Sequence, residues 1–186
     1  MIKPLSGWRF IMRIRIAVAV TALAAASLSA QSQVTKENIP GITNFARLQT
    51  TVACAGAVKA DAVPDIKKLG FASIINLREA SEQGADVDAE AAAAKAANIN
   101  FVHLPFNVAS PAPDLVDRFL AEVSKPANQP AFIHCAGGGR AAAMWMIKRV
   151  QVDRWEQPRA AEEATALGMT ERLKTFAVSY LDTHKR

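Results

Sequence analysis

Apolar positions along this chain follow two rhythms. In some stretches they run together without a break. In others they return every third or fourth residue between polar ones. FASIINLRE (71–79) is a run of the first kind and predicts a buried strand. FVHLPF (101–106) predicts a second strand, ended by Pro105 because proline cannot donate to a sheet ladder. QPAFIHC (129–135) predicts a third, and TVACAGAV (51–58) an early strand and its exit. Between and after them lie helical patterns. DAVPDIKKLG (61–70) predicts a short helix closed by Gly70. DVDAEAAAAKAANIN (86–100) is built of strong helix formers, with Asp88 and Glu90 near its start. SPAPDLVDRFLAEVSKP (110–126) repeats Leu115, Phe119 and Val123 every four residues. Further helices are expected from about Arg140 to Arg149 and over EQPRAAEEATALG (156–168) and MTERLKTFAVSYLDTH (169–184). QSQVTKENIPGITN is polar and turn-rich, so residues 31–42 are expected as a flexible lead-in to a domain spanning 43–186.

Strands alternating with helices imply an α/β fold with a central, mostly parallel sheet, helices on both faces and a helical C-terminal part. Such sheets bind ligands beyond the carboxyl ends of their strands. Cys135 falls at one such end.

The first thirty residues change how charge is read. Lys3, Arg9, Arg13 and Arg15 precede the apolar run IAVAVTALAAASLSA, which ends in small residues. That order is a secretory signal peptide over residues 1–30, with cleavage expected between Ala26 and Ala30. The competing reading is an uncleaved anchor, against which stands a run short of the ~20 residues of a membrane span. Met12 is an alternative start. The expected location is therefore periplasmic or secreted, with no stable membrane span after processing. Without those four charges the formal net charge falls from +5 to +1. The basic balance thus gives no ground for a nucleic-acid partner. Two cysteines, Cys54 and Cys135, make neither a disulfide scaffold nor a zinc site, and no metal or cofactor is expected.

The most informative stretch is FIHCAGGGRAAAMW (132–145). A loop between a strand and a helix start leaves several backbone N–H groups without helical partners. With the helix dipole they form an anion site. Gly137, Gly138 and Gly139 let the backbone curl, so that amides from Ala136 to Arg140 converge. The Arg140 guanidinium adds a planar fork suited to tetrahedral oxyanions. Cys135 is expected at the floor of this cup, where amides and guanidinium favour a nucleophilic thiolate. His134 is expected to hydrogen-bond the loop and hold its shape. The plainer alternative is a small buried cysteine beside a common glycine-rich turn.

HCAGGGR resembles the signature loop of cysteine-dependent phosphatases of the tyrosine and dual-specificity class. More narrowly, the chain resembles a bacterial phosphatase-like group related to the beta-lactamase-hydrolase-like (Blh) phosphatase domain. The likeness extends over NFARL, IKKLGFASIINLRE, NINFVHLPFN and RAAAMW, most of residues 43 to 170. It implies a cysteine-phosphatase-like fold and a two-step hydrolysis of a phosphorylated substrate, of identity unknown, through a phosphocysteine on Cys135. Ala136, Gly137, Gly138, Gly139 and Arg140 would bind the phosphate. The resemblance also places Arg78 near the site as a support; the plainer alternative is a salt bridge to Glu79, Glu82 or Asp86.

Three departures from the wider class bear on activity. Four residues separate Cys135 from Arg140 where the wider class has five. That spacing is shared by the Blh-like group and by rhodaneses. Ala141 follows the arginine where a hydroxyl residue is common. Asn107 stands near the position of the usual acid, and an amide cannot act as one. Asp114 is the candidate replacement, although it also reads as a helix cap and Asp117 as a solvated helix residue. Weak or unusual activity follows. Two rival functions remain open: a sulfurtransferase carrying a persulfide on Cys135, and a non-catalytic oxyanion-binding module. Cys54 reads as a buried small residue, or as a disulfide partner that would silence Cys135. His103, Met144 and Trp145 read as packing residues.

Overall fold

The computed structural model describes residues 33–184, so the signal segment expected at 1–30 lies outside the described residues. Six strands form one sheet in the order β1-β2-β3-β6-β4-β5: β1 (Val34–Ile39), β2 (Ile42–Leu48), β3 (Val52–Ala55), β4 (Ser73–Asn76), β5 (Asn100–His103) and β6 (Ala131–His134). The first three strands pair antiparallel, while β3, β6, β4 and β5 run parallel. Among the described residues six α-helices accompany them: α1 (Val63–Lys68), α2 (Val87–Ala96), α3 (Leu115–Val123), α4 (Gly139–Gln151), α5 (Gln157–Ala166) and α6 (Glu171–Thr183). Among the described residues no helix is long and apolar enough to cross a membrane.

Every residue of β3, β4 and β6 is buried, which is why their sequences read as compact, mostly apolar runs rather than alternations. The alternation is still present in where the side chains point. Phe132 joins Phe45, Phe71, Ile66 and Ala94 in a core on the α1–α2 side. Ile133 and Cys135 join Leu115, Phe119, Met144 and Trp145 in a larger core under α3 to α6. Cys135 therefore faces α4, and His134 faces the opposite side.

The polar stretch expected as a flexible lead-in is instead strand β1, laddered to β2 from Val34–Leu48 to Ile39–Ile42. Its interior residues are all exposed. It is an edge strand held by main-chain bonds, with little apolar pattern to reveal it, and Lys36 and Glu37 suit such an edge. The helix expected from residue 110 begins at Leu115. Pro111 and Pro113 bias the residues before them to extended backbone, which delays it.

The parallel strands deliver their loops to one end of the sheet, and these loops are tied together. The Leu77 N–H donates to the His134 carbonyl at 2.9 Å, and the Cys135 N–H to Ala55 at 3.1 Å. The Leu104 N–H donates to Asn76 at 2.9 Å and the Phe106 N–H to Leu77 at 3.1 Å.

Candidate active site

The Cys135 loop is closed by contacts specific to its glycines. Gly138 caps α4 with φ +98°, a conformation side chains disfavour. A Cβ on Gly139 would lie 2.7 Å from Leu173 Cδ1 of α6, so glycine allows the close approach of that helix. Gly137 bridges to Gly56, and its carbonyl accepts the Asn44 Nδ2–H at 3.1 Å. Asn44 sits at φ +49°, which aims its amide across the loop. The Gly138 N–H donates to Cys135 Sγ at 3.1 Å. Cys135 is only 2 % exposed, yet it is not walled off in hydrocarbon, because its sulfur receives an amide and faces a guanidinium.

Arg140 shows how that guanidinium is set. Nη1 donates to Glu82 Oε1 at 2.6 Å and to the Phe106 carbonyl at 2.8 Å; Nη2 donates to Glu82 Oε2 at 2.8 Å. A guanidinium carries five N–H donors. Glu82 takes its end, and Phe106 takes the outer hydrogen of Nη1. The Nε–H and the second Nη2–H lie along one edge that neither Glu82 nor Phe106 takes, and that edge is turned to the Cys135 sulfur, to which the guanidinium hydrogen-bonds. Two parallel donors on one edge are the fork that holds an oxyanion. Burial alone would lower the Arg140 pKa, but the Glu82 hydrogen bond and the nearby Cys135 more than offset it and raise it. Burial would likewise raise Glu82. The Arg140 hydrogen bond, the Glu79 N–H and the Arg140 and Arg78 charges outweigh it and hold that carboxyl below its ordinary value.

Arg78 acts one layer further out. It is buried, donating to the carbonyls of Gly84 (2.9 Å) and Gln83 (2.7 Å) and to Glu82 Oε2 (3.4 Å). It thus supports the segment that carries Glu82, rather than the cysteine loop itself. His103 Nε2 lies 2.8 Å from the Arg78 carbonyl, at hydrogen-bond distance.

Other expected site residues fall elsewhere. His134 does not brace the loop. Its side chain points to the α1–α2 side, with Nε2 2.8 Å from Glu90 Oε1 but not aligned for a hydrogen bond. Glu90 also accepts from Asn76 Nδ2 at 2.8 Å. The period of two along β6 decides this: adjacent residues face opposite sides, so His134 and Cys135 cannot both face the cup. Asp114 stands outside the site. Its carboxylate is 64 % exposed and lies 3.8 Å from Arg118 one turn along α3, with no capping hydrogen bond. Asn107 does sit beside the cup, directly after Phe106. Its Oδ1 accepts from Ala109 (2.9 Å) and Ser110 (3.2 Å), and its Nδ2 donates to Glu79 Oε1 (3.2 Å).

Glu82 is the site residue that sequence reasoning passed over except as a partner for Arg78. It lies 58 positions from Arg140, and only the meeting of two loops joins them. Cys54 and Cys135 are both free. Burial first, then the charges of Cys135 and Glu163, push the Cys54 thiol well up, which suits an inert core residue. Among the described residues no three His, Cys, Asp or Glu side chains are grouped to hold a metal ion.

A cysteine at the carboxyl end of a central parallel strand, under a glycine loop and a forked arginine at a helix start, defines the cysteine-dependent phosphatase-like class. Within it, residues 44–152 match the family described as "Beta-lactamase hydrolase-like protein, phosphatase-like domain". The chain belongs to that family. No curated protein matches it in sequence. Among solved structures it is similar to a phosphatase-like DUF442 protein of Shewanella putrefaciens CN-32, with TM-score 0.66 and 18 % identity over 81 % of this chain and 100 % of that one. It is also similar to TpbA of P. aeruginosa, with TM-score 0.62 and 19 % identity over 84 % and 92 %. The catalytic core of SIW14, a PP-IP phosphatase of S. cerevisiae, gives TM-score 0.60 and 19 % identity over 77 % and 88 %. At these identities the likeness concerns the fold.

Proposed function

We propose that this protein hydrolyses phosphate monoesters of the protein-tyrosine or dual-specificity kind through a phosphocysteine. The observation that carries the reading is the open edge of Arg140 beside a sulfur that already accepts an amide hydrogen. Two phosphoryl oxygens take the Nε–H and Nη2–H. Amides at the start of α4, from Gly139 onward, have no helical carbonyl to serve and point to the third. Cys135 Sγ attacks phosphorus and the bond to the leaving oxygen breaks. Water then attacks phosphorus, the electron pair of the S–P bond returns to sulfur, and inorganic phosphate leaves. Glu82 keeps the guanidinium charged and oriented while its open edge gains strength as charge builds on the phosphoryl oxygens. TpbA has a cysteine-to-serine variant solved with pTyr, which agrees with a phosphomonoester substrate.

The test uses the reduced protein with an aryl phosphate, and separately with thiosulfate and cyanide, alongside Cys135→Ser. Phosphate release and a phosphocysteine trapped by rapid denaturation, both lost in the variant, are expected. Thiocyanate instead of phosphate would replace this reading with sulfur transfer. Saturable phosphate binding without turnover would replace it with an oxyanion-binding module.

A further inference from the structure

Two carboxylates stand beside the cup, and they differ in what they can do with a proton. Glu82 faces two guanidiniums and is held ionised, so it is unsuited to protonating a leaving oxygen. Glu79 is placed otherwise. It follows Arg78, whose buried guanidinium pins the Gln83 and Gly84 carbonyls, and its own N–H donates to Glu82 Oε1 at 2.8 Å. Its backbone is therefore anchored. Its side chain forms no ion pair among the described residues, and its one hydrogen bond there is to Asn107.

The orientation of that amide is dictated from the far side. Asn107 Oδ1 already accepts two backbone N–H groups, from Ala109 and Ser110. Its nitrogen must then be the end that meets Glu79 Oε1. An oxygen accepting an N–H is the carbonyl oxygen of a carboxylic acid, so a proton on Glu79 belongs on Oε2. Phe106, immediately before Asn107, has its carbonyl on Arg140 Nη1 at 2.8 Å, which ties this pair to the guanidinium that would hold the phosphoryl group.

We propose that Glu79 is the proton donor to the leaving oxygen, with Asn107 as the residue that positions it. The proposal rests on the phosphatase reading and completes it. As the P–O bond breaks, its electron pair stays on the leaving oxygen, which takes the proton from Oε2. The resulting carboxylate removes a proton from the water that attacks the phosphocysteine, and Glu79 returns to its starting state. The asparagine at the expected acid position is then no defect, because it has become the support of a glutamate from the neighbouring strand's loop.

The test compares two substrates. Phosphotyrosine releases a phenol that titrates near 10 and needs a proton. 4-Nitrophenyl phosphate releases a phenolate that leaves unaided. Glu79→Gln is expected to lower kcat/KM for phosphotyrosine by about 100-fold and to change it less than about threefold for 4-nitrophenyl phosphate. The basic limb of the phosphotyrosine pH–rate profile should vanish in the same variant. Asn107→Ala should show the same selectivity between substrates with a smaller loss. Urea midpoints for both variants check the fold. Equal losses on both substrates, or no loss on phosphotyrosine, would overturn the assignment and leave the phosphocysteine reading standing. A wild-type protein that turns over neither substrate would overturn both.

Discussion

Helix α4 carries an arginine near each end, and each pairs with a glutamate from another element. Arg149, toward the C-terminal end, donates Nε to Glu163 Oε1 at 2.7 Å, Nη2 to Glu163 Oε2 at 3.3 Å and Nη1 to Asp153 at 3.0 Å. Its plane lies near the rings of Trp145 (4.7 Å) and Trp155 (4.1 Å). Arg140, at the N-terminal end, gives Glu82 only its Nη1–Nη2 end. The edge that Glu163 occupies on Arg149 holds no carboxylate on Arg140 and is turned to the Cys135 sulfur instead. Both arginines are largely buried, and both belong to bidentate pairs. Burial and pairing thus do not distinguish a binding arginine from a structural one. The edge free of any carboxylate does, together with the sulfur it faces and the helix start beside it.

That contrast can be broken by experiment. Arg140→Lys replaces a fork with a point charge, and should reduce kcat/KM on an aryl phosphate by about 1,000-fold. An activity within tenfold of wild type would show that the open edge is not what holds the phosphoryl group. Arg149→Met should do the reverse. It strands Glu163, 6 % exposed, without its cation, and should cost about 3 kcal/mol in urea unfolding. Turnover of the folded variant should stay within about twofold. A selective loss of catalysis there would blur the distinction.

Smaller effects sharpen the picture. Glu82→Gln keeps the shape but removes the charge that fixes Arg140, and should lower kcat/KM by about tenfold, the scale of one charge-assisted hydrogen bond. The same variant tests linkage. Glu82 has a folded pKa below its unfolded one, so its stabilisation is present above the ordinary carboxylate value and is lost as pH falls through the lowered one. The stability gap between wild type and Glu82→Gln should therefore narrow as pH drops below about 4.3. A gap that widens on acidification would contradict the lowered value. Asp114→Ala should do least, changing stability by under about 0.5 kcal/mol and leaving turnover intact, because the carboxylate faces solvent and Arg118. A large loss of turnover would return Asp114 to the site.

The parts of the site that lie close together in sequence were legible in it. The segment from His134 to Trp145 contains the strand end, the glycines, the arginine and the helix start, and local backbone chemistry is enough to read them as an anion cup. The central strands were legible as well, since burial on both faces makes most of their positions apolar, with Ser73, Asn76 and His134 as the buried polar exceptions. β1 was hidden because an edge strand draws its order from main-chain pairing, which composition records poorly. The place of His134 is not legible, because being next to Cys135 in sequence suggests a shared role, while strand geometry sends the two side chains to opposite faces.

By itself, the sequence determined that this chain forms alternating strands and helices, and that one strand ends in a cysteine beneath amides and an arginine. Those features depend on the residues within a few positions of one another. Only the tertiary structure decided which donors of Arg140 are spent and which are open, and which carboxylate stands beside the cup. Glu82, Phe106, Asn107 and Glu79 come from two loops far from the cysteine in sequence. They meet there because parallel strands deliver all their loops to the same end of the sheet.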